Sequence, residues 1–285
     1  MSRLICNNVA IVTGGASGIG AALGAALVLR ACHVTLADTD ADGAQSTADQ
    51  LSAVGPGHAH AVTLDVRDYA AVHEMVRRTA ERHGRVDYLF NNAGVGMAGQ
   101  AEELSIDHWR RTVDVNLYGV INGVMAAYPL MLEQGHGHIV NTASLAGLIP
   151  APRMAPYAAA KFGVVGLTLA LRSEAARRGV RVSAVCPGLI DTRILDTDYY
   201  AGLSVPPSMR RTAPRAWLTR AQGRPYSPAQ LADDILNGVA ANHALIVAPR
   251  KARWAWRFWR LSPSLMLRIG AAQFEQERRI GLGNS

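Results

Sequence analysis

The segment most informative about the fold is residues 9–20, Val9-Ala10-Ile11-Val12-Thr13-Gly14-Gly15-Ala16-Ser17-Gly18-Ile19-Gly20. It opens with a short run of apolar, mostly β-branched residues, which predicts a strand buried on both faces. Its glycines allow a tight turn and a close approach of the backbone to a ligand, just before a helix begins at Ile19. Because a helix N-terminus offers free N–H groups and a positive dipole end, this unit suits a pyrophosphate. The predicted phosphate-binding residues are Gly14, Ser17, Gly18, Ile19 and Gly20.

Similar short apolar runs alternate with longer helical patterns along the rest of the chain. Strands are predicted at Val9–Val12, His33–Ala37, Ala61–Leu64, Tyr88–Phe90, His138–Asn141, Val182–Val185 and Ala244–Val247. Helices are predicted at Ile19–Arg30, Ala41–Val54, Tyr69–Arg82, Ile106–Leu132, Pro156–Arg178 and Pro228–Val239. This alternation indicates right-handed crossovers and a Rossmann-like α/β fold, in which helices flank a doubly wound, seven-stranded parallel sheet in three layers.

Composition and charge describe a globular body with a basic tail. Hydrophobic residues make up 49% of the 285 residues and charged residues 18%, which supplies a packed core. Residues 250–285 hold eight Lys or Arg against two Glu, a net charge of +6 out of the total of +7, so the remainder carries +1. No nucleic-acid-binding module is recognisable, and a nucleic-acid partner is not predicted.

Cysteine usage and apolar segments favour a soluble, cytoplasmic protein. Cys6, Cys32 and Cys186 form neither a zinc-like cluster nor a disulfide pattern, so no metal site is predicted. The first strand follows Met1 almost directly, which leaves no room for a signal peptide. The uncharged stretch Val115–Leu132 contains polar residues and a proline, which favours a buried helix over a membrane span.

Asp38 predicts the choice of cofactor. It closes the second predicted strand, where a carboxylate can accept hydrogen bonds from both adenosine ribose hydroxyls and repel a 2′-phosphate. No arginine or lysine stands at Ala16, Ser17 or Thr39 to offset that charge. The sequence therefore favours NAD(H) over NADP(H), although Asp38 could also cap a turn together with the neighbouring aspartates.

The ends of three further strands complete the predicted dinucleotide site. A short polar side chain after the third strand could meet the adenine edge, and small residues after the fourth leave space for the adenosine. After the sixth strand, the Ile190 backbone and the Thr192 hydroxyl could hold a nicotinamide carboxamide. The predicted residues are Asp65, Val66, Asn92, Ala93, Gly94, Pro187, Gly188, Ile190 and Thr192.

Tyr157 and Lys161 are the candidate acid/base pair. Their spacing of four places both side chains on one face of the helix that Pro156 opens, and both are also predicted to contact the cofactor. A neighbouring ammonium stabilises the phenolate and is expected to lower the tyrosine pKa from its usual value near 10. Only two lysines stand beside 27 arginines in this chain, which makes the lysine at this position informative.

Two further polar residues are expected near this pair. Ser144 follows the fifth predicted strand and could hydrogen-bond a substrate oxygen. Asn116 lies in an apolar helix, where a buried amide needs a partner. It either bonds a neighbouring helix or holds a water that relays protons to Lys161.

Taken together, the chain resembles the compact branch of the short-chain dehydrogenase/reductase family. The turn at 13–20, the segment Asn91–Gly94, the residues Asn116, Ser144, Tyr157 and Lys161, and the Pro-Gly and Thr of 187–192 occur in that family's order and spacing over about residues 5–250. The resemblance implies a catalytic tetrad of Asn116, Ser144, Tyr157 and Lys161, with hydride passing between nicotinamide and a carbonyl carbon. It also implies alcohol/ketone chemistry and a homodimer or homotetramer, in which Ile106–Leu132 and Pro156–Arg178 form a four-helix interface.

Two segments lie outside the regular alternation. Residues 193–227 are expected to form a substrate lid within a catalytic domain at 1–249, and the apolar residues near the site favour lipophilic secondary alcohols or ketones. Residues 250–285 form a basic, aromatic-rich helical extension. Its aromatics are expected to pack over the substrate entrance or a neighbouring subunit, and peripheral membrane contact through 250–269 is the less favoured interpretation.

Two other functions remain open. The chain could be an NAD-binding sensor or scaffold without turnover, although the presence of all four tetrad residues argues against this. It could also act as a membrane-associated adaptor through its basic tail, which is compatible with the enzymatic function.

Overall fold

A computed structural model describes residues 5–196, 200, 202–210 and 213–282, and these residues confirm the predicted architecture. One parallel sheet has the strand order β3-β2-β1-β4-β5-β6-β7. The strands are β1 (Val9–Thr13), β2 (His33–Asp38), β3 (His58–Thr63), β4 (Tyr88–Asn91), β5 (Gly137–Thr142), β6 (Val180–Pro187) and β7 (Leu245–Ala248). The order reverses between β1 and β4, and in such sheets ligands bind in the crevice beyond the carboxyl ends of the strands at this point.

Helices cover both faces of the sheet and continue past its last strand. They are α1 (Gly18–Val28), α2 (Ala41–Val54), α3 (Tyr69–His83), α4 (Ile106–Val113), α5 (Gly119–Gln134), α6 (Ala155–Ala175), α7 (Pro214–Gln222), α8 (Pro228–Ala240), α9 (Arg250–Leu261) and α10 (Pro263–Leu282). On one face, α3, α5 and α6 pack on the strands, and on the other α1 and α8 do so. Nearly every residue of β1 and β4–β7 is buried, as continuous apolar runs predict.

Most predicted elements differ from the observed ones by one to three residues at their ends, and two differences have a structural reason. The third strand is His58–Thr63 and not Ala61–Leu64, because it lies at the sheet edge and its residues are only partly covered. An edge strand of this kind does not need the continuous apolar run used to find it. The long helix predicted at Ile106–Leu132 is interrupted by one π-helical turn, Asp114–Tyr118, between α4 and α5.

The stretch Ile106–Gln134 is long and apolar enough to cross a membrane by length and composition, yet half of its most apolar window is buried inside the fold. There α5 contacts α3, and both α4 and the π-helical turn contact α6. The structure therefore agrees with its interpretation as a core helix.

A buried chain of polar side chains joins β4, β5 and α6 beneath the site. Asn91 Nδ2 donates to Asn141 Oδ1 at 2.9 Å, and Asn141 Nδ2 donates to Thr168 Oγ1 at 3.0 Å. Thr168 in turn donates to Val164 O at 2.6 Å. Because buried polar groups are costly unless paired, this network fixes α6 against the two central strands.

We expect Asn141→Ala to lower the free energy of unfolding by about 2–3 kcal/mol, because the substitution removes the Asn91 amide's partner and opens a small cavity. Urea unfolding measures the change. Asn237→Ala, at an exposed position in α8, is the control and should lie within about 0.5 kcal/mol of the wild type. Equal stabilities for the two variants would show that the network does not hold the helix.

Candidate active site

The turn between β1 and α1 forms a cradle that is open because its glycines carry no side chains. Gly14 has a φ of +69°, and a Cβ there would lie 2.9 Å from Ala93 Cα. A Cβ on Gly20 would lie 1.9 Å from Gly14 O, so only glycine fits at this contact. The helix begins at Gly18, one residue earlier than predicted. The exposed backbone of this turn fits the phosphates of a dinucleotide.

Asp38 stands at the rim of this cradle, with its carboxylate held in place. Its Oδ2 accepts a hydrogen bond from Ala16 N at 3.0 Å, and its Oδ1 accepts one from Asp40 N at 3.1 Å. The cap of α2 is Asp40, which accepts from Gly43 N. Asp38 therefore contributes to the turn, as the alternative interpretation holds, and also borders the groove where a ribose would lie.

A groove of about 390 Å³ runs from the glycine turn along the carboxyl ends of the strands. Among the predicted cofactor residues it is lined by Gly14, Ser17, Gly18, Ile19, Asp38, Asp65, Val66, Asn92, Ala93, Gly94 and Thr192. The groove shares Ile19, Asn92, Gly94 and Thr192 with an adjoining cavity, which Pro187, Gly188 and Ile190 line. Gly20 lines neither the groove nor the cavity, and its role is to let the backbone pass close to Gly14 O.

Two cationic side chains were not expected from the sequence: Arg111, which lines this groove, and Arg67, which binds the lining residue Asp65. Arg67 forms an ion pair with Asp65, with Nε 2.9 Å from Oδ2, and this hydrogen-bonded pair lowers the pKa of the Asp65 carboxyl. Arg111 of α4 lines the groove, and its buried Nε finds no hydrogen-bond partner among the described residues. Neither residue belongs to a motif, so only the three-dimensional arrangement reveals them.

Lys161 is buried beneath the other end of the groove. It is 3% exposed, its Nζ donates to Thr142 O at 2.9 Å, and Nζ lies 5.6 Å from the centre of the Tyr157 ring. Burial lowers the pKa of Lys161 to about 8. The two side chains thus share one face of α6, as their spacing predicts.

The predicted direction of the Tyr157 pKa shift is wrong for this structure. Burial raises the pKa of the phenol, and the hydrogen bond with Ser144 offsets the increase only in part. The ammonium of Lys161 lies over the ring and donates to Thr142 O, so it does not act directly on the hydroxyl. Desolvation therefore outweighs the electrostatic effect of the neighbouring charge.

Ser144 and Asn116 complete the polar end of the cavity. Ser144 follows β5, accepts from Ala146 N at 3.2 Å and hydrogen-bonds the Tyr157 phenol. The Asn116 amide, fully buried in the π-helical turn, donates to Val95 O at 3.0 Å and accepts from Val95 N at 3.1 Å. Its partner is thus the loop after β4, whereas the sequence suggested a neighbouring helix or a water.

All four predicted catalytic residues line one cavity of about 500 Å³. Its polar end carries Asn116, Ser144, Tyr157 and Lys161, and its walls are mostly apolar: Leu145, Ile149, Met154, Leu189, Ile194, Leu195, Trp217 and Leu218. A carbonyl oxygen at the polar end would lie beside two hydroxyls, with the glycine-turn groove opening next to it.

A family model described as short chain dehydrogenase matches residues 8–199. The chain belongs to the short-chain dehydrogenase family. A cyclohexanol dehydrogenase of Acinetobacter sp. (strain SE19) is 39% identical over 196 residues, which are 68% of this chain and 78% of that protein. Mycobacterium tuberculosis SadH, whose name describes it as an oxidoreductase, is 34% identical over 266 residues, 93% of this chain and 94% of its own.

Among solved structures, a short-chain dehydrogenase/reductase of Burkholderia phymatum in complex with NAD has a TM-score of 0.82 and 32% identity, and the match covers 92% of this chain and 95% of that one. Matches over 92% and 93% of the chain cannot lie within residues 1–249 alone. These relatives therefore share part of the extension, which the sequence motifs had set apart from the family core.

The extension supplies one wall of the short-chain dehydrogenase cavity. Residues Lys251, Ala252 and Ala255 of α9 and Met266, Ile269, Gly270 and Phe274 of α10 line it. Arg153 lies over the Phe274 ring, 5.7 Å from its centre. Of the aromatic residues that were expected to pack over the substrate entrance or a neighbouring subunit, Phe274 lines the cavity, whereas Trp254 and Phe258 lie outside it and are exposed.

The expected lid at 193–227 is partly helical in this short-chain dehydrogenase. It contains 3₁₀ turns at Arg193–Leu195 and Pro207–Met209 and the helix α7, while residues 197–199, 201, 211 and 212 lie outside the described part. Ser208 N donates to Glu103 Oε1 at 3.1 Å, and Arg215 forms an ion pair with Asp191 at 2.6 Å. These contacts connect the segment to Glu103, which follows β4, and to Asp191, which follows β6.

The buried ammonium of Lys161 makes stability depend on pH. The unfolded chain holds this proton with the ordinary pKa of 10.5, whereas the folded chain holds it at about 8. Between these values the unfolded state binds more protons, so the free energy of unfolding gains up to about 3 kcal/mol as pH rises through the window. We expect that gain to be absent from Lys161→Met.

Urea unfolding of both proteins from neutral pH to pH 10.5 measures the difference. Wild type should become more stable relative to the variant as pH rises above about 8. Parallel curves for the two proteins would show that burial does not lower the pKa of Lys161 in the folded chain.

Proposed function

We propose that the protein is an NAD(H)-dependent oxidoreductase that interconverts a secondary alcohol and a ketone, with Tyr157 as the acid/base group. The observation that supports this best is the junction of the two spaces. The groove at the glycine turn opens beside the cavity end that holds Ser144, Tyr157 and Lys161. A dinucleotide and a carbonyl compound can therefore meet there.

In this proposal the nicotinamide, when bound, supplies or accepts the hydride. The Tyr157 hydroxyl donates a proton to the carbonyl oxygen during reduction and accepts one from the alcohol during oxidation. Ser144 hydrogen-bonds the same oxygen and stabilises charge that develops on it. Since burial raises the pKa of the phenol, the phenolate needs a nearby positive charge. In this proposal the Lys161 ammonium, 5.6 Å from the centre of the ring, stabilises the phenolate once it forms, while in this structure it donates to Thr142 O and does not bond the hydroxyl.

Asn116 acts as a positioning residue in this scheme. Both ends of its amide bond the backbone of Val95, whose neighbour Gly94 lines both the groove and the cavity. A Cβ on Gly94 would lie 2.7 Å from Asn116 Oδ1 and 3.7 Å from Lys161 Nζ, so these three residues adjoin each other. A water-mediated relay from Asn116 to Lys161 remains part of the proposal through the family resemblance.

The cavity supports a lipophilic substrate. Beyond the tetrad its walls consist largely of aliphatic and aromatic side chains, to which α10 adds Met266, Ile269 and Phe274. The one other charged lining residue, Lys251, uses its ammonium on Gln222 O at 2.8 Å and Arg224 O at 3.1 Å. A cyclic or branched secondary alcohol fits such walls better than a polyol.

NAD(H) is proposed over NADP(H) because Asp38 borders the groove where the adenosine ribose would lie. The NAD complex of the Burkholderia relative supports this choice. We also propose a homodimer or homotetramer in the cytoplasm. Exposed apolar side chains on the two helical segments that the resemblance places in a dimer interface support assembly: Tyr118, Met125, Phe162 and Leu169.

Tyr157→Phe should lower kcat for alcohol oxidation by on the order of 10²–10⁴-fold and leave NADH binding intact, because it removes only the proton-transfer group. Steady-state NAD⁺ reduction with a panel of secondary alcohols, and NADH fluorescence titration, measure the two effects.

Tyr128→Phe is the matched control, since that buried hydroxyl of α5 has no hydrogen-bond partner among the described residues. It should retain wild-type activity. A Tyr157→Phe enzyme as active as this control would remove the assigned role. Wild-type protein that binds NADH but turns over no alcohol or ketone would favour a sensor.

Asp38→Ser should raise the Kd for NADH by roughly ten- to a hundredfold, since two charge-assisted hydrogen bonds to ribose hydroxyls are lost. It should weaken NADPH binding less or strengthen it, because the repulsion of a 2′-phosphate disappears. The NADH/NADPH ratio of Kd values is the informative quantity, because loss of the Ala16 contact alone would affect both cofactors equally.

Asp42→Ser, an exposed carboxylate in the first turn of α2, is the control for charge and should leave the ratio unchanged. Wild-type protein that binds NADPH more tightly than NADH would refute the assignment.

A further inference from the structure

The outer face of α9 exposes large apolar side chains that the fold does not use. Trp254 is 63% exposed, Phe258 41% and Leu261 85%. Their spacing of four and three residues places them on one side of the helix. On the opposite side, Ala252 is buried and Ala255 lines the cavity, so the helix is oriented by its inner face. The exposed stripe therefore has no role in holding the helix in place.

The charge around this stripe is of a single sign. The same segment carries arginines at 250, 253, 257, 260 and 268, of which Arg253 donates to Val247 O, and the sequence contains no Asp or Glu between Asp234 and Glu275. None of these five arginines forms an ion pair within the described part of the chain. Arg257 lies over the Trp254 ring at 5.4 Å from its centre, which places a guanidinium directly beside the exposed indole.

The apolar stripe and the arginines together restrict the kind of partner that can bind this face. A second copy of this face would bring like charges together, because no carboxylate lies within the stretch to pair with them. A nucleic acid would satisfy the arginines but leave Trp254, Phe258 and Leu261 without an apolar environment. An anionic bilayer satisfies both, since its headgroups attract arginine while indole, phenyl and leucine side chains enter the boundary with the acyl chains.

We propose that the outer face of α9, formed by Trp254, Phe258, Leu261 and the flanking arginines, docks on a membrane surface that contains anionic phospholipid. In α10, Leu265 and Leu267 are also exposed. The helix lies in the interface and does not span the bilayer. This docking is independent of the proposed reaction, since none of the three apolar residues lines the cavity or the groove.

The test is flotation of the full chain with vesicles of equal parts phosphatidylcholine and phosphatidylglycerol, and with vesicles of phosphatidylcholine alone. Wild type should float with the anionic vesicles, less with the neutral ones, and less again as salt is raised. Two variants separate the contributions. Trp254→Ser/Phe258→Ser/Leu261→Ser removes the apolar stripe, and Arg257→Glu/Arg260→Glu reverses two charges. Each should lower the partition coefficient by on the order of tenfold or more.

The matched control is Leu29→Ser/Val54→Ser/Tyr69→Ser, which removes three exposed apolar side chains that lie outside α9, α10 and the two interface segments. It should float as the wild type does, and thermal unfolding checks that all variants are folded. The proposal is overturned if the wild type does not float with anionic vesicles, or if the stripe variant and the control float equally. It is also overturned if a double-stranded DNA fragment competes fully with the vesicles and the stripe variant still binds that DNA, or if the wild type self-associates through Trp254 and loses vesicle binding as it does so.

Discussion

The site depends on one buried positive charge. Lys161 is the only lysine or arginine that is buried in the described part of the chain, and its ammonium donates to Thr142 O at the end of β5. Removing an ammonium from water costs several kcal/mol unless hydrogen bonds and nearby negative charge compensate. The surroundings supply a carbonyl and the face of the Tyr157 ring. That incomplete compensation lowers the pKa of Lys161, and in the proposed reaction a phenolate formed on Tyr157 would add the missing negative charge.

The fold holds this charge in place through buried amides. Asn91, Asn141 and Thr168 link two central strands to α6, which carries Tyr157 and Lys161. Asn116 fixes the loop after β4 from the other side. Both sets of hydrogen bonds lie at the carboxyl ends of the strands, where the sheet order reverses and where the glycine turn exposes its backbone. The groove at the glycine turn and the cavity that holds Tyr157 and Lys161 therefore adjoin each other at this edge of the sheet.

Local patterns predicted the sheet, the turn and the helical spacing of Tyr157 and Lys161, because each depends on neighbours within a few residues. They placed the start of the edge strand β3 three residues too late, because its half-covered residues lack a continuous apolar run. They also missed the π-helical turn that aims Asn116 at Val95. The Tyr157 pKa was expected in the wrong direction, since spacing reports the nearby charge but not the depth of burial. Arg111 and the cavity-lining face of α10 depend on packing between distant segments, which one sequence does not encode locally.

A crystal structure of the NADH complex would show whether Tyr157 and Lys161 face the nicotinamide of a dinucleotide bound at the glycine turn. We expect the pyrophosphate on the backbone of Gly14–Gly20, the adenosine ribose on Asp38, and the nicotinamide ring within reach of the Tyr157 hydroxyl and Lys161. A dinucleotide bound elsewhere, or a Tyr157 hydroxyl turned away from the nicotinamide, would contradict it.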